Sequence, residues 1–335
     1  MTTSTLATLA IDGEPQAGAA GSYPVHNPAR SAEIVGQAPA ADRAQLDAAV
    51  TAARRAAPGW RALDVAERVA KVVAAATTAG EQLTATDGAR LFTSEHGKVL
   101  AEANFELATA PMVAAVLGTM AEAALAPEQI DPQAPYPRLH REPYGVAALV
   151  IPFNWPLAVM MTKLTSALTA GNTAVVKLPP TVPLAALQFG AAFAAALPPG
   201  VVNVLAAPGI ELAQALVTHP GIDVISLTGG PATGRAVMAA AAPRLTPLLL
   251  ELGGNDAAII APDMPISDQL VEQLVTATYT TGGQVCMVIK RLYVPHDRID
   301  ELSDAVLARC ERELGADGIR AFTQPRGYVR QPAPR

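Results

Sequence analysis

The chain has 335 residues, enough for two or three ordinary domains and a large buried core with no disulfide staple. Half of the residues are hydrophobic and only 4% are aromatic, so alanine-rich helices packed on a sheet are expected. A formal net charge of −6 offers no basic excess for a phosphate backbone or an anionic membrane surface, which argues against nucleic-acid and membrane partners.

The opening "MTTSTLATLAIDGEP" has neither the basic n-region nor the sustained apolar run of a signal peptide, and the 2 cysteines form no paired framework, so a reducing cytoplasmic setting is expected. From 44 to 125, "RAQLDAAVTAARRAAPGW", "VAERVAKVVAAATTAGEQL" and "KVLAEANFELATAPMVAAVLGTMAEAAL" repeat apolar residues at three- and four-residue spacing and predict helices. Residues 126–143, with five prolines, read as an extended arm. Strand and helix then alternate: strands over 145–151, 173–178, 201–205 and 223–228, with a helix after each, predict a mostly parallel sheet covered on both faces. The apolar stretch at 146–161 contains Asn154 and two prolines and is shorter than the ~20 residues a membrane helix needs.

"PLLLELGGNDAAIIAP" (247–262) predicts two strands broken at Gly253 and Gly254, followed by a helix over 266–283 and a strand after Cys286. The expected division is one domain from 1–125 and 144–250, the arm at 126–143, a second domain from 251–314, and a tail at 315–335. That tail carries four arginines, three prolines and no acid after Asp317, and is expected to stand outside the packed fold.

Several residues invite chemistry, each with a plainer alternative. Cys310, in "DAVLARCEREL", suits an ordinary helix core. Cys286 differs because Gly282 and Gly283 precede it and allow close backbone approach to a ligand, although a small core residue would also fit. None of the 5 histidines sits in a catalytic-looking turn, so Glu251, in "LLLELGGN", is the candidate base if burial raises its pKa; a strand-end salt bridge is the alternative. Asn154 is either a structural amide or an oxyanion donor. "SLTGGPATGRAVM" joins strand to helix through Gly229, Gly230 and Gly234, which suits phosphate or merely a tight turn. No grouping suggests a metal site.

Taken in order, "PFNWP", "GNTAVVKL", "SLTGGPATG", "LELGG" and "GGQVC" resemble successive signatures of the aldehyde dehydrogenase superfamily, and "LAIDGEPQAG", "HNPARSAEIVGQAPAA" and "SEHGKVLAEA" resemble its amino-terminal segment. The similarity runs from about residue 8 to about residue 314. It implies an α/β fold with a Rossmann-type parallel sheet domain and an incomplete α/β catalytic domain. It also implies NAD or NADP as cofactor, a small-molecule aldehyde as substrate, and Cys286, Glu251, Asn154 and Lys163 as catalytic residues. Cys286 attacks the aldehyde, Asn154 and the Cys286 N–H hold the oxyanion, and Glu251 activates water against the thioester. Ile151, Pro152, Trp155, Lys177, Pro180, Thr228, Gly229, Gly230 and Leu252 fall at cofactor-binding positions.

Pro180 stands where many NAD-preferring relatives carry a ribose-binding glutamate, which opens the site to NADP. Gly230 replaces a usual serine. Nothing after Cys286 resembles the family's later "EEIFGP"-like segment, so a carboxyl-terminally shortened chain is expected, its tail arising from a truncation or reading-frame change. The family's homo-oligomer and the activity of this chain then stand open, the alternative being an inactive remnant that binds nucleotide or a full-length partner. A cysteine hydrolase, or an enzyme passing its thioester to coenzyme A, would share the nucleophile.

Overall fold

The computed structural model of the protein describes residues 7–130 and 138–322, those beyond Cys310 as backbone only. The chain divides after Gly253 into two compact units.

The first unit opens with a hairpin of β1 (Leu9–Ile11) and β2 (Glu14–Gln16). Its two-residue loop is Asp12-Gly13, both at positive φ (58° and 82°), the primed-turn geometry that matches strand twist. A second hairpin, β3 (Ser22–Asn27) and β4 (Arg30–Pro39), leads to four helices, α1 (Arg43–Arg61), α2 (Val65–Ala85), α3 (Gly88–His96) and α4 (Leu100–Leu125). A reciprocal capping box between Asp42 and Gln45 starts α1. Periodicity predicts α1, α2 and α4; α3 is an addition.

By length and composition α4 would also suffice to cross a membrane. Here its small residues Ala103, Ala110, Ala114 and Gly118 are turned inward, and it packs on α2 and α5 (Pro156–Thr169). A Cβ on Gly118 would approach Val69 of α2 to 2.8 Å. β5 (Glu128–Gln129) and β6 (Arg138–Leu139) pair as an exposed antiparallel ribbon within 126–143. Residues 131–137 of that arm lie outside the described ones.

The alternating segment then supplies β7 (Val146–Val150), α5, β8 (Thr173–Lys177), α6 (Leu184–Ala195), β9 (Val202–Leu205), α7 (Glu211–Val217), β10 (Val224–Thr228), α8 (Pro231–Ala241) and β11 (Leu248–Glu251). The sheet has seven strands in the order β11-β10-β7-β8-β9-β1-β2. β7 through β11 are parallel, and β1 joins β9 antiparallel through Ala10 and Val204, so the amino terminus closes one edge. Counted from β7, the parallel strands run 3-2-1-4-5, the doubly-wound dinucleotide order, with its reversal between β7 and β10. The main core, including Leu149, Val175, Val204, Ile225, Phe189 and Met160, fills the layers on both faces.

The second unit holds β12 (Asp256–Ile259), α9 (Asp268–Tyr279), β13 (Ile289–Tyr293) and α10 (Ile299–Phe322). β12 and β13 are parallel, and Ile260, Leu274 and Leu302 form a small apolar cluster. Glu251 lies on β11 in the first unit's sheet, so the boundary falls after Gly253 rather than at 251. Because α10 continues to Phe322, residues 315–322, expected as part of the tail, are helical; 323–335 lie outside the described residues.

Two buried carboxylates fix how helices meet the carboxyl edge of this sheet. Glu106 of α4 accepts from the Leu157 and Ala158 N–H groups at the start of α5 (2.8 and 3.2 Å). Glu95 of α3 does the same for Leu184 and Ala185 at the start of α6 (2.7 and 2.8 Å). Glu106 also pairs with Lys98, both side chains fully buried. Replacing Lys98 by Met strands that carboxylate and should cost about 3–5 kcal/mol. Glu106→Gln should also destabilise, while the Lys98→Met/Glu106→Gln double variant should lose less than the two singles summed, since no charge is then left unpaired. Urea denaturation of the three variants checks this, and simple additivity would contradict the pairing.

Candidate active site

The strand order places a crevice at the carboxyl ends of β7 and β10, and the first-unit residues singled out from the sequence gather along that edge, except Lys163, which lies midway along α5. Ile151 follows β7 and donates its N–H to the Lys177 carbonyl at the end of β8 (3.1 Å). Pro152, Asn154 and Trp155 are half-buried in the turn before α5. There the Asn154 carbonyl accepts from His96 Nε2–H at 2.9 Å and from the Lys98 ammonium at 3.2 Å. Its side-chain Oδ1 accepts from the Trp155 N–H (3.0 Å), which turns the donor edge of the planar amide the opposite way. Lys98 lies over the Phe92 and Trp155 rings, 4.6 Å from each centroid. Burial pushes His96 down to about 4, so its imidazole is neutral near pH 7.

Helices α5, α6 and α8 follow β7, β8 and β10. Glu106 and Glu95 occupy the N-termini of α5 and α6, whereas α8 begins at Gly230 with no side-chain cap. A Cβ at Gly230 would meet nothing within 4 Å, so the approach to that terminus is open. The Gly229 N–H is committed to the Glu251 carbonyl (3.0 Å), leaving the first turn of α8 as the remaining donor group for an anion. Thr228 ends β10, half-buried, and Leu252 lies against Gly234 of α8, where a Cβ would come within 2.7 Å of it.

The Lys177 ammonium is held by the Leu178 carbonyl (2.6 Å), with the Ala207 carbonyl at 3.5 Å, and burial pushes it down to about 8. Pro180 is half-buried in the loop that leads to α6. Lys163 of α5 is 8% exposed and donates to the Ser226 hydroxyl at 2.7 Å. Burial pushes it down to about 8, and the neighbouring Glu251 carboxylate pulls the other way. The three residues line a cavity of about 600 Å³ together with Leu149, Val224 and ribbon residues from Leu139 to Tyr144.

Glu251 itself is exposed, against the expectation of burial. The reason is β11's place at the sheet edge, where alternate side chains, Leu249 and Glu251, face outward.

Cys286 belongs to the second unit and is exposed, so it fills no core; Cys310 is buried, as a helix-core residue should be. The nucleophile candidate follows three consecutive left-handed residues, Thr281, Gly282 and Gly283 (φ 54°, 61° and 77°). Two are glycines, for which that conformation carries no Cβ penalty. No cluster of metal-ligating side chains occurs among the described residues.

A family model described as the aldehyde dehydrogenase family matches residues 16–319. The chain belongs to the aldehyde dehydrogenase family. It is 33% identical over 294 residues to the chloroplastic betaine aldehyde dehydrogenase of Beta vulgaris, covering 85% of this chain and 58% of that protein. To the glutarate-semialdehyde dehydrogenase of Pseudomonas aeruginosa it is 34% identical over 300 residues, covering 89% and 61%. Among solved structures, a cysteine-to-alanine mutant of Aldehyde Dehydrogenase C from Pseudomonas syringae, complexed with NAD+ and octanal, superposes with a TM-score of 0.84 at 31% identity. That match covers 93% of this chain and 63% of the other. The NADP-dependent glyceraldehyde-3-phosphate dehydrogenase of Bacillus halodurans C-125, complexed with NADP, gives 0.83 at 28% identity, covering 92% and 65%. The aldehyde dehydrogenase chain thus spans about three-fifths of the length of the relatives it matches.

Missed from sequence were Lys98, Glu95, Glu106 and His96. Apart from the Lys98–Glu106 pair, 8 residues apart, their hydrogen-bond partners lie 51 to 90 residues away, for Lys98 and His96 56 and 58, beyond any periodicity.

The lysines define a pH dependence. Between about 8 and the ordinary 10.5, Lys163 and Lys177 bind fewer protons folded than unfolded, so their share of stability rises with pH through that window and is smallest below it. Lys163→Met should stabilise the first unit by about 1–3 kcal/mol near pH 7, with the gain shrinking toward about pH 10. Urea titrations at both pH values check this; a constant gain would contradict it.

Proposed function

We propose that the protein oxidises a small aldehyde to the carboxylic acid, using NAD or NADP as hydride acceptor. What carries the proposal is an exposed thiol, Cys286, on a left-handed glycine turn in a chain of this family. The Cys286 thiol gives up its proton to Glu251, which passes it to solvent, and the sulfur attacks the carbonyl carbon; a C–S bond forms and the carbonyl oxygen takes the negative charge. Asn154 Nδ2–H and the Cys286 N–H donate to that oxygen. The bound cofactor supplies the acceptor for the hydride that leaves the thiohemiacetal carbon. Glu251 then takes a proton from water, the water oxygen adds to the thioester, the C–S bond breaks, and acid and thiol are released. Lys163 stands beside Glu251 as the local cation.

The residues along the carboxyl edge fit the cofactor. The uncapped α8 terminus with Gly229 and Gly230 would take the pyrophosphate, and Lys177 a ribose hydroxyl. Ile151, Pro152, Trp155, Thr228 and Leu252 would complete the walls. Pro180 supplies no carboxylate to repel a 2′-phosphate, which supports use of NADP as well as NAD. A free thiol of this kind suits the reducing cytoplasm, and the exposed β5–β6 ribbon suits assembly with a second copy.

Steady-state assays with an aldehyde panel and either nucleotide test the proposal. Cys286→Ala should lower turnover by at least about 10³-fold while leaving nucleotide affinity intact. Glu251→Gln should give a slower burst of reduced nucleotide near one per active site and then stall, because the thiol still loses its proton to solvent and acylates, whereas hydrolysis does not survive. A Cys286→Ala protein that still reduces nucleotide sinks the mechanism.

A further inference from the structure

In the second unit, the β12–β13 ladder pairs Asp256 with Ile289 and then Ala257 with Arg291, so Lys290 is the extra residue of a β-bulge. A bulge bends the strand and re-aims the side chain it carries. The Lys290 ammonium reaches back to two carbonyls of the cysteine turn, Val285 at 2.9 Å and Cys286 at 3.0 Å. The Val285 oxygen has one further, long contact, from the Val288 N–H at 3.5 Å. Arg291 grips the Asn255 carbonyl through two nitrogens (3.1 and 2.7 Å), which fixes β13 beside Gly254. Gly254 closes the arrangement: a Cβ there would fall 2.3 Å from the Cys286 carbonyl oxygen, so only a bare Cα fits against it.

The Val285 carbonyl and the Cys286 N–H belong to one peptide unit. In a trans peptide they point in opposite directions, and fixing one end fixes the other. A cation on the carbonyl oxygen also polarises the unit and strengthens its N–H as a donor. Among the described residues that N–H has no hydrogen-bond partner.

We infer that Lys290 is a positioning residue for the oxyanion site: through the Val285 carbonyl it aims and polarises the Cys286 N–H, while Gly254 holds the Cys286 carbonyl in register. The inference rests on the proposed aldehyde oxidation, since it assigns that N–H to the reacting oxygen.

With only 2 cysteines, 15N-cysteine labelling of the full chain yields two amide resonances, assigned with a Cys310→Ser variant. In Lys290→Met the Cys286 resonance should move and the Cys310 resonance should stay. Lys290→Arg, which can still donate to both carbonyls, should return it toward the native position. In turnover, Lys290→Met should lower kcat by at least about tenfold with the nucleotide KM unchanged, and Lys290→Arg should recover most of the loss. A Cys286 resonance unmoved in Lys290→Met overturns the inference, as does an equal kcat loss in the Met and Arg variants. A native chain silent toward every aldehyde, whose Cys286 resonance still answers to Lys290, overturns the oxidation and upholds the peptide anchor.

Discussion

The carboxyl edge of the first unit is organised by where buried carboxylates meet helix N-termini. A parallel sheet aims the positive ends of its helices at one edge, and every uncapped end there attracts an anion. Glu106, paired with Lys98, and Glu95 accept the first N–H groups of α5 and α6 from within the chain, whereas α8 has no such side-chain cap. The four-helix opening segment therefore does more than cover one face of the sheet. It carries the carboxyl groups that occupy two of the helix termini on that edge. Burial pushes Glu95 up to about 8 even against two backbone donors, which measures how deeply that cap is set.

The same segment reaches the Asn154 turn through one pair. Lys98 is bound to Glu106, lies over Trp155 and donates to the Asn154 carbonyl, and Glu106 holds the first N–H groups of α5. Asn154 is thus braced from α3, from the loop after it and from α4 together. A half-buried amide on an irregular turn would otherwise sample several rotamers, and a donor aimed at a developing charge contributes most when it needs no reorganisation.

The parallel strands and their helices were legible because each is a short apolar run or a periodic helix bounded by Gly or Pro, and the local signal coincides with the tertiary role. The β1–β2 hairpin was missed although Asp12-Gly13 is a strong turn dipeptide, because strands of three residues carry almost no periodicity. α3 was hidden by its length of nine residues and its mixed polarity. The quoted "SEHGKVLAEA" contains Glu95, His96 and Lys98, yet spacing cannot reveal that they act on helices and turns dozens of residues further on. Glu251 was expected to be buried because its neighbours are apolar; alternation on an edge strand decides otherwise. The α4 helix shows the converse limit, since hydropathy cannot separate a lipid-facing helix from one whose alanines and glycine face other helices.

Electrostatics separates the two units in kind. The first keeps Lys163 and Lys177 buried with only a hydroxyl and carbonyl oxygens in direct contact, and both are pushed down by desolvation, so a ligand that brings negative charge or acceptors offsets part of that cost. The second has a small apolar cluster and cannot fix a turn by packing alone. It uses backbone devices instead: three left-handed residues, a glycine flush against the Cys286 carbonyl, and a bulged lysine on the preceding peptide. Such devices set the direction of a peptide group without a large core, because each acts on a dihedral angle or a single carbonyl. The proposed role of Cys286, as attacking sulfur and as N–H donor to the resulting oxygen, calls for that kind of constraint, since its backbone and its sulfur would have to be aimed at once.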